Sequence, residues 1–196
     1  MKPELHLTGD QAADALLSSD PLALVIGMLL DQQVSMESAF AGPAKIAARM
    51  GAAGSLDAAA IAAYDPEAFV ELFRVTPAVH RFPGSMAARV QTLCRTVVED
   101  WGGDASAIWK RGDPTGVEVL ARLKKLPGFG DQKAKIFLAL LGKQYGLDAP
   151  GWREASAPLG EPGTFHSVAD IVDADSLALV RESKKAHKAA MKAARG

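Results

Sequence analysis

Residues Leu22 to Leu30, Leu-Ala-Leu-Val-Ile-Gly-Met-Leu-Leu, present no polar side chain on any face. Asp20-Pro21 ahead of them reads as an N-cap followed by proline at the first helical position, where the missing N–H costs nothing. A helix that is apolar all round must be covered all round. This one is too short to span a bilayer, which takes about 20 apolar residues. The chain therefore has to wrap other elements around it, and those elements read as helices. Asp10 to Leu17 predicts a short one. Ser35 caps a helix from Met36 to Met50 that Pro43 interrupts or kinks, and Gly51 and Gly54 end it. Ala-rich helices follow near Leu56 to Ala63 and, after the cap Asp65-Pro66, to Phe73.

Thr76 to Gly84 reads as a loop. Ser85 is placed to cap a long helix to Trp101, with Met86, Val90, Leu93 and Val97 on one face. Asp104 starts a short helix, and Thr115-Gly116-Val117-Glu118 has the form of a capping box. Residues 148–168, rich in Pro and Gly, read as an irregular ordered loop. Asp175 to Ala194 reads as a basic helix carrying Arg181, Lys184, Lys185, Lys188 and Lys192, with Arg195 just beyond. No strand pattern and no repeat is found, so the predicted class is all-α.

The totals narrow the function. With 22 basic and 23 acidic residues the net charge is −1, so any polyanion must be held by a local patch. The single cysteine, Cys94, excludes an internal disulfide and a cysteine-ligated zinc or iron–sulfur site within one chain; on a packed helix it reads as a small buried hydrophobe. The segment Met-Lys-Pro-Glu-Leu-His has no apolar core of a signal peptide, and the expected location is the cytoplasm.

One stretch carries chemistry. In Leu126-Pro127-Gly128-Phe129-Gly130 an apolar segment ends and a new helix begins at once, reaching to about Tyr145 before Gly146. The glycines allow backbone geometry that a Cβ forbids, and the N–H groups of the turn and of the next helix's first turn lack intrahelical partners. They can converge on one anion. Lys124, Lys125, Lys133 and Lys135 surround the turn, with Asp131 the one acid among them.

Three separated segments, Leu30-Asp31-Gln32-Gln33-Val34-Ser35, Phe82 to Val90, and Leu126 to Gly130, resemble in order and spacing the helix-hairpin-helix (HhH-GPD) superfamily of base-excision DNA glycosylases. The Gln-Gln-Val-Ser segment looks most like the alkylbase-glycosylase branch. The resemblance covers roughly residues 20–146. It implies two helical lobes with a cleft between them: residues 20–110 mainly one lobe, 111–146 the helix-hairpin-helix, and 1–19 with 147–196 as second lobe or flank, all within one unit of 196 residues. It also implies a partner, double-stranded DNA containing a damaged base, bound by a monomer with no membrane and no cofactor. Family members flip the base out of the stack, at a cost of a few kcal/mol, and hydrolyse its N-glycosidic bond.

Carried over by position, the resemblance assigns Gly128, Phe129, Gly130 and Lys133 to a phosphate-gripping hairpin, and Gln33 to a wedge that fills the gap in the stack. A cation at the hairpin carbonyls would be structural. Gln32, His80, Gln132, Tyr145 and Trp152, with His166, are candidates for the base pocket. The lysine nucleophile of the strand-cutting members falls at Gln132 here, and Lys133 is rotated from it by about 100°, so lyase chemistry is not expected. The family aspartate pattern, Val-Asp-x-His-Val, is missing. Asp148 is the first candidate for that role and Asp170 the second, and no such aspartate is the third possibility. Three functions remain open: a DNA N-glycosylase without lyase activity, a lesion- or DNA-binding protein that keeps the hairpin but has lost the catalytic aspartate, and a helical protein-interaction module that binds no DNA.

Overall fold

A computed structural model describes residues 3–52 and 54–193, without the side chains of Lys188 and Lys192; Arg195 lies outside the described residues. The described chain is all helix and turn. In order the helices are α1 (Gln11–Ser19), α2 (Pro21–Leu30), α3 (Met36–Phe40), α4 (Gly42–Arg49), α5 (Ala58–Ala63), α6 (Pro66–Arg74), α7 (Pro83–Trp101), α8 (Ala107–Lys110), α9 (Gly116–Lys124), α10 (Asp131–Gln144), α11 (Trp152–Ala155) and α12 (Ala174–Ala193). A 3-10 turn at Val168–Asp170 precedes α12. Among the described residues no single helix is long and apolar enough to cross a membrane.

As its composition requires, α2 is buried from Leu22 to Leu30. Helices α1, α3 and α4 pack on it, and α5 and α6 pack on α7. A second group forms from α8, α9, α10 and α11, with the 3-10 turn against α10. One continuous core joins the two groups. Asp20 is more than a cap: besides Leu22 N–H (2.9 Å) and Ala23 N–H (3.3 Å), it accepts Leu56 N–H at 2.7 Å, pinning the α4–α5 connection to the start of α2. Thr115 and Glu118 close the expected capping box at α9.

Pro43 interrupts the Met36 to Met50 helix as expected, dividing it into α3 and α4, because its ring tolerates the first turn of a helix and not its interior. Two other local expectations change. The long helix begins at Pro83 rather than Ser85; proline fits the first turn, and the Ser85 hydroxyl donates to Phe82 O (3.4 Å) instead of capping. Residues 148–168 are not wholly irregular, since α11 sits inside them.

Trp152 of α11 fills a slot made by two glycines. A Cβ on Gly116 would stand 2.3 Å from Trp152 Cα, and one on Gly142 would stand 2.4 Å from the indole ring. Gly142→Ala is therefore expected to cost about 1–3 kcal/mol through overpacking, read as a Tm lower by a few degrees per kcal/mol. Gly84→Ala, in open helical surroundings, should leave Tm unchanged or slightly raised.

Candidate DNA-binding site

The hairpin between α9 and α10 is built on Phe129 and aimed by Gly128. Phe129 is buried, meets Phe137 edge-on with centroids 5.8 Å apart, and gives its N–H to Leu126 O at 3.1 Å. It anchors the turn and offers no surface to a ligand. Gly128 has φ +81°, and a Cβ on it would stand 2.4 Å from Cδ1 of the fully buried Leu29. Both facts require glycine. Gly130 differs. Its φ of −78° suits any residue and nothing lies within 4 Å of a built Cβ, so what its missing side chain leaves is open space above the turn.

That space lies over unspent donors. Helix α10, like α4, α7, α8 and α11, receives no side-chain cap. Its first-turn N–H groups carry the positive end of a 14-residue helix. Asp131 at its start is held by Lys124 (2.8 Å) and Lys135 (3.2 Å), which keep its carboxyl below the usual carboxylate range. The paired acid does less to repel an approaching anion.

Lys133 does not reach outward. Its ammonium donates to the carbonyls of Met28 (2.7 Å), Leu29 (3.2 Å) and Asp31 (3.2 Å) at the carboxyl end of α2. Burial lowers its pKa, opposed by Asp31 and reinforced by Arg89. The start of α10 thus lies at the end of α2. Gln132, next to Lys133, is exposed.

The loop after α2 meets the third motif. Gln32 is clamped on three sides: its Nε2 donates to Leu29 O (2.7 Å), its Oε1 accepts from Arg89 (2.8 Å), and its carbonyl accepts from His80 Nε2 (3.0 Å). His80 is buried, and its Nδ1 accepts the Phe82 N–H at 3.1 Å. These bonds assign the neutral, Nε2-protonated tautomer. Burial holds its pKa below the ordinary histidine value, against the pull of the Gln32 carbonyl. Gln32 and His80 are therefore struts of the loop rather than pocket walls. Gln33, between the clamped Gln32 and the capped α3, is exposed with φ +57°, a conformation that non-glycine residues rarely adopt. Phe82 is 39% exposed, with the Arg81 guanidinium 4.9 Å from its ring centre and the His80 ring 5.9 Å away.

The remaining candidates lie elsewhere. Helix α10 is 14 residues long, about 21 Å at 1.5 Å per residue, and Tyr145, Asp148 and Trp152 sit at its far end. Pro150 O accepts the N–H of Gly116 (2.7 Å), where α9 begins, which also places this loop away from the hairpin. There Tyr145 packs on Trp109, burial pushes its hydroxyl to about 12, and Arg153 covers the Trp152 ring. Asp148 is exposed in a hollow of about 540 Å³ shared with Tyr145 and Trp109. Asp170 is buried and fully engaged: Lys143 (2.5 Å) and Thr164 (3.3 Å) on one oxygen, the N–H groups of His166 (2.9 Å) and Ser167 (3.1 Å) on the other. His166 itself is exposed on that turn. Sequence reading passed over Arg89 and Asp31; the available signal for Asp31 was an acid at the negative end of an otherwise apolar helix.

Neutral His80 holds the loop, so acid should loosen it. A folded-state pKa below the unfolded value of about 6.5 means that the unfolded chain takes the proton first. The stabilisation is complete above pH 6.5 and is lost as pH falls through the window down to the folded pKa. Urea unfolding between pH 8 and pH 5 should show this loss, and His80→Asn should remove that part of the slope.

A family model described as HhH-GPD superfamily base excision DNA repair protein matches residues 26–193. No curated protein and no solved structure matches the chain. The matched span contains the Gln32–Gln33 loop, the Phe82 to Arg89 segment and the hairpin, all of which the fold brings to the carboxyl end of α2. With the family model covering most of its length, the chain belongs to the HhH-GPD superfamily of base excision DNA repair proteins.

Proposed function

We propose that this protein is a DNA glycosylase without lyase activity, of the alkylbase type, acting as a cytoplasmic monomer on a damaged base in double-stranded DNA and needing no cofactor. One observation carries the reading: the anion-binding turn and the exposed Gln33 are fixed to the same helix end, through Leu29 against Gly128 and through Lys133 on the α2 carbonyls. A phosphate held over Gly130 and the first turn of α10 would sit at a set distance from the side chain entering the stack. Gln33 can both fill the gap and hydrogen-bond the orphaned partner base. The basic residues of the turn and of α12 supply a local positive surface on a chain of net charge −1.

Gln132 occupies the place of a lysine nucleophile, and the neighbouring ammonium is tied up by three carbonyls. Hydrolysis by water is the remaining course. A second reading, lesion binding without chemistry, draws on the exposed Asp148 far from the hairpin and on the fully engaged Asp170. Single-turnover base release from duplexes containing one uracil, hypoxanthine, alkylated purine or 8-oxoguanine separates the two. Release from any of them supports the glycosylase. Lesion-selective binding with no release supports the other.

Two outcomes follow from the hairpin. Gly130→Ala should fold like wild type, since its backbone and surroundings accept a methyl group, yet bind duplex DNA about tenfold more weakly, with anisotropy as the readout; equal binding would remove the phosphate from this turn. Gly128→Ala should lose binding and also stability, because φ +81° costs an L-residue about 1–2 kcal/mol. In the wild type and in Gly130→Ala binding should weaken steeply with salt. Borohydride should trap no covalent protein–DNA complex.

A further inference from the structure

The buried or capping aspartates of this chain are, with one exception, spent on structure. Asp14 accepts the N–H groups of Leu7 and Thr8 and the Thr8 hydroxyl. Asp20 accepts three N–H groups, and Asp170 is saturated by Lys143, Thr164, His166 and Ser167. Asp10, Asp57, Asp65, Asp104 and Asp173 accept local backbone N–H groups.

The exception is Asp31. It is half-buried, and among the described residues no donor reaches its carboxylate. Lys133 donates to its main-chain carbonyl and not to its carboxylate. The chain bends there in an inverse γ-turn (φ −72°, ψ 71°), closed by Gln32 N–H on Leu30 O at 2.7 Å. The side chain is left one residue from the clamped Gln32 and two from the exposed Gln33. The position opposes folding. A carboxylate at the carboxyl end of a helix meets the negative end of its dipole, and partial burial adds to the cost although its oxygens keep contact with solvent. Lys184 of α12 and Lys133 attract it, Glu37 repels it, and burial outweighs both lysines. An unpaired acid kept at such a cost, beside the residue proposed to enter the DNA stack, has the marks of a functional group.

We propose that Asp31 is the carboxylate that assists loss of the base, resting on the glycosylase reading above. The bond from the base nitrogen to C1′ breaks with its electron pair going to the base. The ionised carboxylate faces the positive charge that develops on the sugar. Water then bonds to C1′; Asp31 takes the proton from that water, and the proton passes to the departing base nitrogen. Base and sugar leave as neutral products, the carboxylate is restored, and no other reactant is consumed.

The test compares wild type, Asp31→Asn and Asp148→Asn in single-turnover release from the four duplexes named above, with anisotropy for binding and thermal melting for the fold. Asp31→Asn is expected to slow release by about 10²–10³-fold, the scale of losing one electrostatic group. Its binding should stay within about twofold of wild type, and its Tm should match or exceed the wild-type value, because an unpaired charge has been removed. Wild-type release should also fall on the acid side as the carboxylate takes up a proton, with that limb missing from Asp31→Asn. Asp31→Asn that releases base like wild type overturns the assignment while the glycosylase reading stands. A fall in Tm with release and binding lost in parallel makes Asp31 structural and also overturns it. Loss of release in Asp148→Asn with full release in Asp31→Asn returns the role to Asp148. Wild type that binds duplexes and frees no base overturns the glycosylase reading, and this assignment falls with it.

Discussion

The Lys133 ammonium on the last carbonyls of α2 is the interaction on which the rest of the arrangement depends. Four carbonyls at any helix end lack intrahelical partners, and those of α2 emerge from a helix with no polar side chain between Leu22 and Leu30. Lys133 donates to two of them and to the carbonyl of Asp31 beyond. A cation is also the favoured charge at that end of the dipole. Hydrogen bonds to charged groups are worth about 1.5–3 kcal/mol each, and burial keeps salt from screening them. The same bonds set the register of α10 against α2. The hairpin is thereby positioned by the most deeply buried helix in the molecule, and Leu29 against Gly128 completes the seam.

Much of the fold was legible in the sequence because its signals are local. The apolar run of α2, the caps at Asp20 and Ser35 and the Thr115–Glu118 box each act within a few residues. The hairpin was legible for the same reason: Gly128 and Gly130 announce a turn in their own dipeptides. What could not be read depends on pairs far apart in sequence. Lys133 reads as one of four lysines around a turn, and only its approach to residues more than 100 positions away distinguishes it. Gln32 reads as part of a pocket until His80 and Arg89 close on it. Tyr145 and Trp152 follow the hairpin closely in the chain, yet α10 carries them about 21 Å away. Asp170 looks free in the sequence and is enclosed by Lys143, 27 residues earlier.

The region after α10 shows how one packing choice excludes another. The chain leaves α10 through Gly146 and turns so that Pro150 O takes the N–H of Gly116 and the Trp152 ring enters the Gly116–Gly142 slot. That ties the loop to the distal ends of α9 and α10. An aspartate there serves a different end of the molecule from the hairpin. The departure of this stretch from the family pattern is therefore a matter of geometry as well as residue identity.

Residues Asp31 to Gln33 concentrate two features that folding disfavours: an unpaired carboxylate at the negative end of a helix and a left-handed glutamine. Each is a cost of the kind that persists only where surrounding structure over-determines the backbone. Here the surroundings do so on both flanks. Lys133 and Leu29 hold the approach, and the Gln32–His80–Arg89 clamp and the Ser35 cap hold the exit. The loop cannot relax without breaking bonds made by α7 and α10 together. Strain confined between two such anchors is displaced into the side chains that project from it, Asp31 into the half-buried interior and Gln33 into solvent. A segment stabilised by its neighbours and destabilised by its own residues is built for something other than stability.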